Sequence, residues 1–247
     1  RAGRIVAGVL RLVQERAEPG VSTAGLDRMA ETFIRDHAGA VPAFKGLYGF
    51  PATLCTSVNT EVVHGIPSEG RRLAPGDLLS VDVGVRLDGL FADAAVTIPV
   101  GDVTGEAERL LRVTRDALAV GVAAARPGGR VGDIGAAVQR RVEADGFSVV
   151  RELVGHGVGF DAHEAPHVPN YGRPGRGEPL ETGLVIAIEP MVNAGDRRIR
   201  QLDDGWTVVT ADGGLSAHFE HTVAVTADGP RILTAVPSDM RVSGRKA

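Results

Sequence analysis

Cysteine is nearly absent from this 247-residue chain: Cys55 stands alone, so no internal disulfide can form and a reducing, cytoplasmic setting is expected. Long apolar runs are missing as well, and no signal-peptide pattern opens the sequence, which predicts a chain that neither spans a membrane nor is secreted. There is no surplus of positive charge. The formal charge is -4 with Lys and Arg scattered, which leaves no electrostatic footprint for nucleic acid or an anionic membrane. No stretch rich in Pro, Gly or Ser divides the chain, so residues 1–247 are expected to form a single domain. What is present is ordinary globular material: 43% hydrophobic and 23% charged residues, enough to bury a full core and far from the composition of disorder.

The chain reads as if written twice. Ile5, Val9, Leu10, Leu12 and Val13 have helical spacing that ends at Pro19-Gly20, and Ser22 or Thr23 can cap a second helix carrying Leu26, Met29, Ala30, Phe33 and Ile34. About a hundred residues later Thr104 can cap a helix holding Leu110, Leu111, Val113 and Leu118, with Pro127-Gly128 and a further helix over roughly 131–145 behind it. The strand-like segments that follow each hairpin align without a gap, Leu73-Ala-Pro-Gly-Asp-Leu-Leu-Ser-Val-Asp82 against Leu180-Glu-Thr-Gly-Leu-Val-Ile-Ala-Ile-Glu189. Upstream, His64 and His156 occupy similar glycine-flanked loops; downstream, Asp93 precedes Val96 as Glu220 precedes Val223. Five features in one order predict two pseudo-repeats, about 1–103 and 104–230, whose strands meet in a shared sheet.

The spacing predicts where the acids go. Residues 78–85 and 91–96 are β-prone and flank Asp88-Gly89, a dipeptide that supplies the positive φ angles of a two-residue hairpin turn. Opposed residues in that hairpin have numbers summing to 177, so Asp82 faces Ala95, Asp93 faces Gly84, and the two aspartates are diagonal neighbours on one face, roughly 7–8 Å apart at most. Gly84 is expected to leave space beside them. In the second half Val185, Ala187 and Glu189 share one strand face, and Ser216, His218, Glu220 and Thr222 share another. Four carboxylates gathered among apolar side chains repel one another and lose hydration, each effect on the order of kcal/mol, so one or two divalent cations are the expected counter-charge, with His156 completing the set. Glycines beside His64 and His156 are expected to admit a ligand close to the backbone. Read singly these residues are bland: a lone strand Asp is an ion-pair member, a lone His-Gly a loop histidine, Trp206 and Phe219 core packing, and Cys55 a small buried hydrophobe. No nucleophilic triad is indicated.

Taken together, Asn59-Thr-Glu-Val-Val-His64-Gly-Ile-Pro67, Ser80-Val-Asp82-Val-Gly84, Asp93, Gly155-His156-Gly-Val-Gly159, His163-Glu-Ala-Pro166, Ile188-Glu189-Pro-Met191 and Phe219-Glu220-His-Thr222 resemble the type I, bacterial-like methionine aminopeptidases over nearly the whole chain. The resemblance implies the α/β (α+β) pita-bread fold, two pseudo-symmetric halves around a central dinuclear metal cleft. It implies two divalent ions, Co, Mn, Fe or Zn, on Asp82, Asp93, His156, Glu189 and Glu220, with Asp93 and Glu220 bridging. It further implies catalytic roles for Glu189 as proton relay and for His64 and His163 as hydrogen-bond partners of the substrate amide. Phe44, Leu47, Phe50, Cys55 and Trp206 would line the methionine pocket. The sequence departs from that family at Leu47, where Tyr is usual, Phe44, where Cys is frequent, Ala162, where a bulky aromatic is common, and His218, where Gln is usual. Removal of the first methionine from peptides and nascent chains by a monomer, with a small second residue preferred and ribosome contact left open, is the implied function. Two other readings compete: an Xaa-Pro peptidase or prolidase, which shares the ligands but usually carries an added N-terminal domain, and a non-catalytic peptide-binding relative, which normally loses ligands.

Overall fold

A computed structural model describes residues 1–235; residues 236–247 of the expected domain lie outside the described residues. The first hairpin is α1, Ala2–Arg16, and α2, Thr23–Arg35. Ile5, Val6, Val9, Leu10 and Val13 form the buried stripe of α1, and the Ser22 hydroxyl accepts from Gly25 N–H at 3.1 Å to satisfy an otherwise orphaned donor of α2. Five strands follow: β1, Val41–Pro42; β2, Leu54–Val58; β3, Glu61–Val63; β4, Leu78–Leu87; and β5, Leu90–Pro99. β4 pairs with β2 and then β1 on one edge and, along its whole length, with β5 on the other. That last pairing has the expected register, Asp82 opposite Ala95 and Gly84 opposite Asp93, because Asp88 (φ 54°) and Gly89 (φ 81°) make the tight turn.

The second hairpin is α3, Gly105–Ala124, and α4, Val131–Glu143. Thr104 caps α3 by accepting from Ala107 N–H at 3.2 Å, and Glu106 and Glu108 place negative charge in its first turn, where the helix dipole favours it. The remaining strands are β6, Ser148–Val149; β7, Gly155–Gly157; β8, Glu164–Val168; β9, Val185–Ile188; β10, Met191–Asn193; β11, Ile199–Gln201; β12, Val208–Thr210; β13, Ser216–His218; β14, His221–Thr226; and β15, Gly229–Ile232. They form a five-stranded sheet ordered β15-β14-β9-β7-β8 and a three-stranded sheet β13-β10-β6, while β11 and β12 join β3 from the first half.

Each hairpin roofs its own core. α1 packs on β4 and β5 and α2 on β1 and β2, with Val9, Leu26, Ile34, Leu79 and Val81 in their shared core; α3 packs on β9, β10, β13 and β15 and α4 on β6 and β8, with Leu110, Val113, Ile134, Ile186, Ile188 and Val223 in theirs. Val96 touches both cores. Fully burying each such aliphatic side chain is worth about 1.5–3 kcal/mol, so the helices hold the strands where the acids emerge. The strands of the two halves do share one sheet, but it is the small β11-β12-β3 sheet, and the acid-bearing strands stay in separate ladders.

The expected continuous strand over 216–222 is interrupted. β13 pairs with β10, β14 pairs with β9, and the chain changes ladder at Phe219 and Glu220. Opposite that break lie Glu189 and Pro190, between β9 and β10, where proline has no N–H to give a ladder. Freed from its own sheet, Glu220 N–H donates to Ala95 C=O of β5 at 2.9 Å and so ties the two halves together.

Candidate metal centre

Asp82 lies in the middle of β4 and Asp93 in β5, both on the face turned away from the first hairpin; His156 is the central residue of β7, and Glu189 and Glu220 sit at the paired strand breaks. All five line one cavity of about 280 Å³. Asp93, His156 and Glu220 each present a possible ligand atom within 4.8 Å of the others, and all three side chains are buried. His156 Nε2 stands 3.6 Å from Asp93 Oδ2 and 3.5 Å from Glu189 Oε1, too far for good hydrogen bonds. Such gaps suit an ion: two atoms each about 2.1 Å from a tetrahedral centre lie about 3.4 Å apart.

The second contacts fit the same purpose. His156 Nδ1 is 2.9 Å from Gly157 C=O, which occupies one ring nitrogen as donor and leaves Nε2 facing the acids. The Thr222 hydroxyl donates to Asp93 C=O at 2.7 Å, lies 3.2 Å from Asp93 Oδ1 and accepts from Asp93 N–H at 3.0 Å. Asn170 is buried and donates to Glu189 C=O at 3.0 Å, steadying the strand break from behind.

Charge makes the case for a cation. Burial first, and then neighbouring carboxylates, push Asp82, Glu189 and Glu220 well above the usual carboxylate range. Asp93 is raised by burial too, with His156 and the Thr222 hydroxyl pulling the other way. Asp82 Oδ1 is buried with no hydrogen-bond partner. Three acids forced toward protonation, an orphaned carboxylate oxygen and an imidazole nitrogen aimed among them form a donor set that suits divalent Mn, Fe, Co or Zn.

The other expected residues also converge. His64 and His163 line the cavity, the His163 ring lies 4.4 Å from that of His156, and Tyr48 stacks on it from outside at 6.0 Å. Burial, then the charges of His156 and His64, lower the His163 pKa, and burial lowers that of His64. Phe44, Phe50 and Cys55 form a buried apolar cluster against which Leu47 and Trp206 pack, with Trp206 edge-on to Phe50 at 5.1 Å. Burial, and after it the charges of Asp82 and Glu220, push the Cys55 thiol up, so it remains protonated and apolar.

Two local expectations are corrected. Gly84 does not leave open space beside the aspartates, because a Cβ there would come within 2.6 Å of the Phe44 ring, which has filled the gap. Nor do the glycines beside the histidines admit a ligand. A Cβ on Gly65 would lie 2.2 Å from Thr56 C=O, on Gly155 2.3 Å from Ala187 C=O, and on Gly157 2.2 Å from Ala165 C=O, so these glycines admit neighbouring backbone. The departure at Ala162 is buried and does not line the cavity, whereas His218 does. Tyr48, Val63, Leu153, Val154 and Met191 line it too, beyond the residues the sequence points to as lining. Met191 had a signal in the Ile-Glu-Pro-Met run and Thr222 one in its alternation with His218 and Glu220; Tyr48, in a three-residue turn, and Asn170, in an irregular segment, had none.

Comparison with known proteins agrees with this geometry. The profile of Metallopeptidase family M24 matches residues 1–227. Methionine aminopeptidase of Clostridium perfringens is 54% identical over 236 residues, covering 96% of this chain and 94% of its own. The crystal structure of methionine aminopeptidase from Thermotoga maritima superposes with a TM-score of 0.93 at 45% identity, covering 94% of this chain and 93% of its own. The prolidase of Pyrococcus horikoshii matches at TM-score 0.77 and 21% identity over 97% of this chain but 61% of its own, a likeness of fold alone. The architecture is the pita-bread fold, and a chain matched over nearly its whole length by that profile and those relatives belongs to metallopeptidase family M24.

Proposed function

We propose that this chain is a methionine aminopeptidase that releases the first methionine of peptides and nascent polypeptides in the cytoplasm, acting as a monomer and preferring a small second residue. The observation that carries this reading is the meeting of four carboxylates and one imidazole in a cavity that Phe44, Leu47, Phe50, Cys55 and Trp206 also line. In this reading Asp82, Asp93, His156, Glu189 and Glu220 hold two divalent ions. When bound, such ions polarise a scissile carbonyl and lower the pKa of water at the site.

The protein's own groups do the rest. Glu189, raised in pKa by burial, takes a proton and passes it to the departing amine. His64 and His163, whose lowered pKa values keep them neutral near pH 7, donate hydrogen bonds to the substrate amide as charge develops on it. Asp82 receives the free α-amine, which an internal residue does not have, and this restricts cleavage to the N-terminus. The apolar wall excludes water and takes an unbranched, polarizable side chain. Within the described residues no helix is long and apolar enough to cross a membrane.

The test is release of the first residue from Met-Ala-Ser, Leu-Ala-Ser, Ala-Ala-Ser and Met-Pro peptides by protein loaded with Mn, Fe, Co or Zn in turn. Preferred release of Met before Ala supports the reading. Preference for Leu or Ala, or cleavage confined to the Xaa-Pro bond, contradicts it.

A further inference from the structure

The cavity contains one buried polar atom that the proposed reaction leaves unused. His218 is 2% exposed, and its Nε2 has no hydrogen-bond partner. Native interiors seldom keep such an atom without a reason, because it has given up water for nothing. Its nearest acidic neighbour is Glu220, whose Oε2 lies 3.8 Å away. The imidazole is firmly mounted. His218 N–H donates to Thr97 Oγ1 at 2.8 Å, that hydroxyl donates to His218 C=O at 2.9 Å, and Ser80 Oγ lies 2.8 Å from the same hydroxyl. β13 also pairs Cα to Cα with Met191 of β10 at this residue. A side chain on so fixed a backbone has little freedom to find another partner.

We propose that His218 is a positioning residue for Glu220: its Nε2–H donates to Glu220 Oε2 once that carboxylate turns toward a bound divalent ion. Closing 3.8 Å to a hydrogen bond of about 2.9 Å needs a carboxylate rotation of about 1 Å. One Glu220 oxygen already lies within 4.8 Å of the ligand atoms of Asp93 and His156. His218 is not itself a member of that group, so it steers a ligand without being one. Outer partners of this kind fix the orientation of a ligating group, and their loss typically weakens metal binding 10–100-fold. The inference rests on the metallopeptidase reading and names a residue that this reading does not need.

The experiment titrates Mn²⁺ into chelator-treated full-length protein by calorimetry, for the parent, H218Q, which keeps an N–H donor, and H218L, which has none. Thermal unfolding of the metal-free proteins runs alongside. The expected result is a Kd for Mn²⁺ about 10–100-fold weaker in H218L, recovery to within a few-fold of the parent in H218Q, and no matching order in metal-free Tm. If H218L does not fold, H218M fills the same space without a donor and takes its place. Equal Mn²⁺ affinity in the parent and the apolar variant overturns the inference, as does an H218Q that binds as weakly as H218L. A parent that binds no Mn²⁺, and no Co²⁺ or Zn²⁺ when these are titrated in the same way, overturns the metal-dependent reading and the inference with it.

Discussion

The two halves of the molecule deliver their acids in different ways. Asp82 and Asp93 project from the middle of two unbroken ten-residue strands, and their spacing follows from one hairpin turn. Glu189 and Glu220 sit where strands stop, in a paired interruption at which the chain leaves one ladder for another. A regular ladder sets a side chain's direction through backbone hydrogen bonds alone, whereas a break must be held by contacts from elsewhere. Here those contacts are the Ala95 carbonyl on Glu220, the Asn170 amide on Glu189 and the Thr222 hydroxyl that reaches back to Asp93. Near-symmetric sequence therefore yields a rigid half and a propped half.

That contrast can be broken or sharpened in order of expected effect. Glu189→Gln keeps the size of the side chain at the break but removes the proton acceptor; kcat for Met release should fall about 10²–10⁴-fold while far-UV circular dichroism stays unchanged. An activity within a few-fold of the parent would remove Glu189 from its proposed role. Thr222→Val takes away the prop that spans the halves, and metal affinity measured by calorimetry should weaken about 10–100-fold. Unchanged affinity would mean that Glu220 keeps its place at the break without this bond.

Packing against backbone gives a smaller effect. Gly155→Ala forces a methyl toward Ala187 C=O at 2.3 Å, where no side chain can yield, and denaturant unfolding should show a loss of about 1–3 kcal/mol. A neutral result would show that β7 can shift, which would also loosen His156. The smallest signal is in pH. Because the folded-state pKa of Glu220 is raised, its contribution to stability is complete below the unfolded value of about 4.3 and is lost as pH rises through the folded value. In chelated protein, Glu220→Gln should therefore grow more stable relative to the parent as pH increases above about 4.3. A difference that shrinks over that range would contradict the buried, uncompensated charge. Added metal should reverse the order, since ions stabilise only the parent's complete ligand set.

The same contrast explains what could be read in advance. Helix ends were legible at Ser22 and Thr104 because a capping hydroxyl acts three residues away, and the Asp82–Asp93 register because Asp88-Gly89 dictates the turn. Identity of the propped acids was legible through alignment of the halves, but the interruption that exposes them was not. The bond from Thr222 to Asp93 spans 129 residues, and no local periodicity announces it. Glycine misleads for a related reason: Gly84 and Gly155 look like open space in one dimension, and the Phe44 ring and the Ala187 carbonyl fill that space only after folding. Tyr48, held at φ 51° against His163, lies in the three-residue 3-10 turn Leu47–Gly49, too short for any periodic pattern to announce.

Metal stoichiometry goes to the centre of the account. Chelator-treated protein titrated with Mn²⁺, or with Co²⁺, should take up two ions per chain and regain Met release in step with that uptake. Full release of methionine by protein shown by elemental analysis to contain no divalent ion would contradict it.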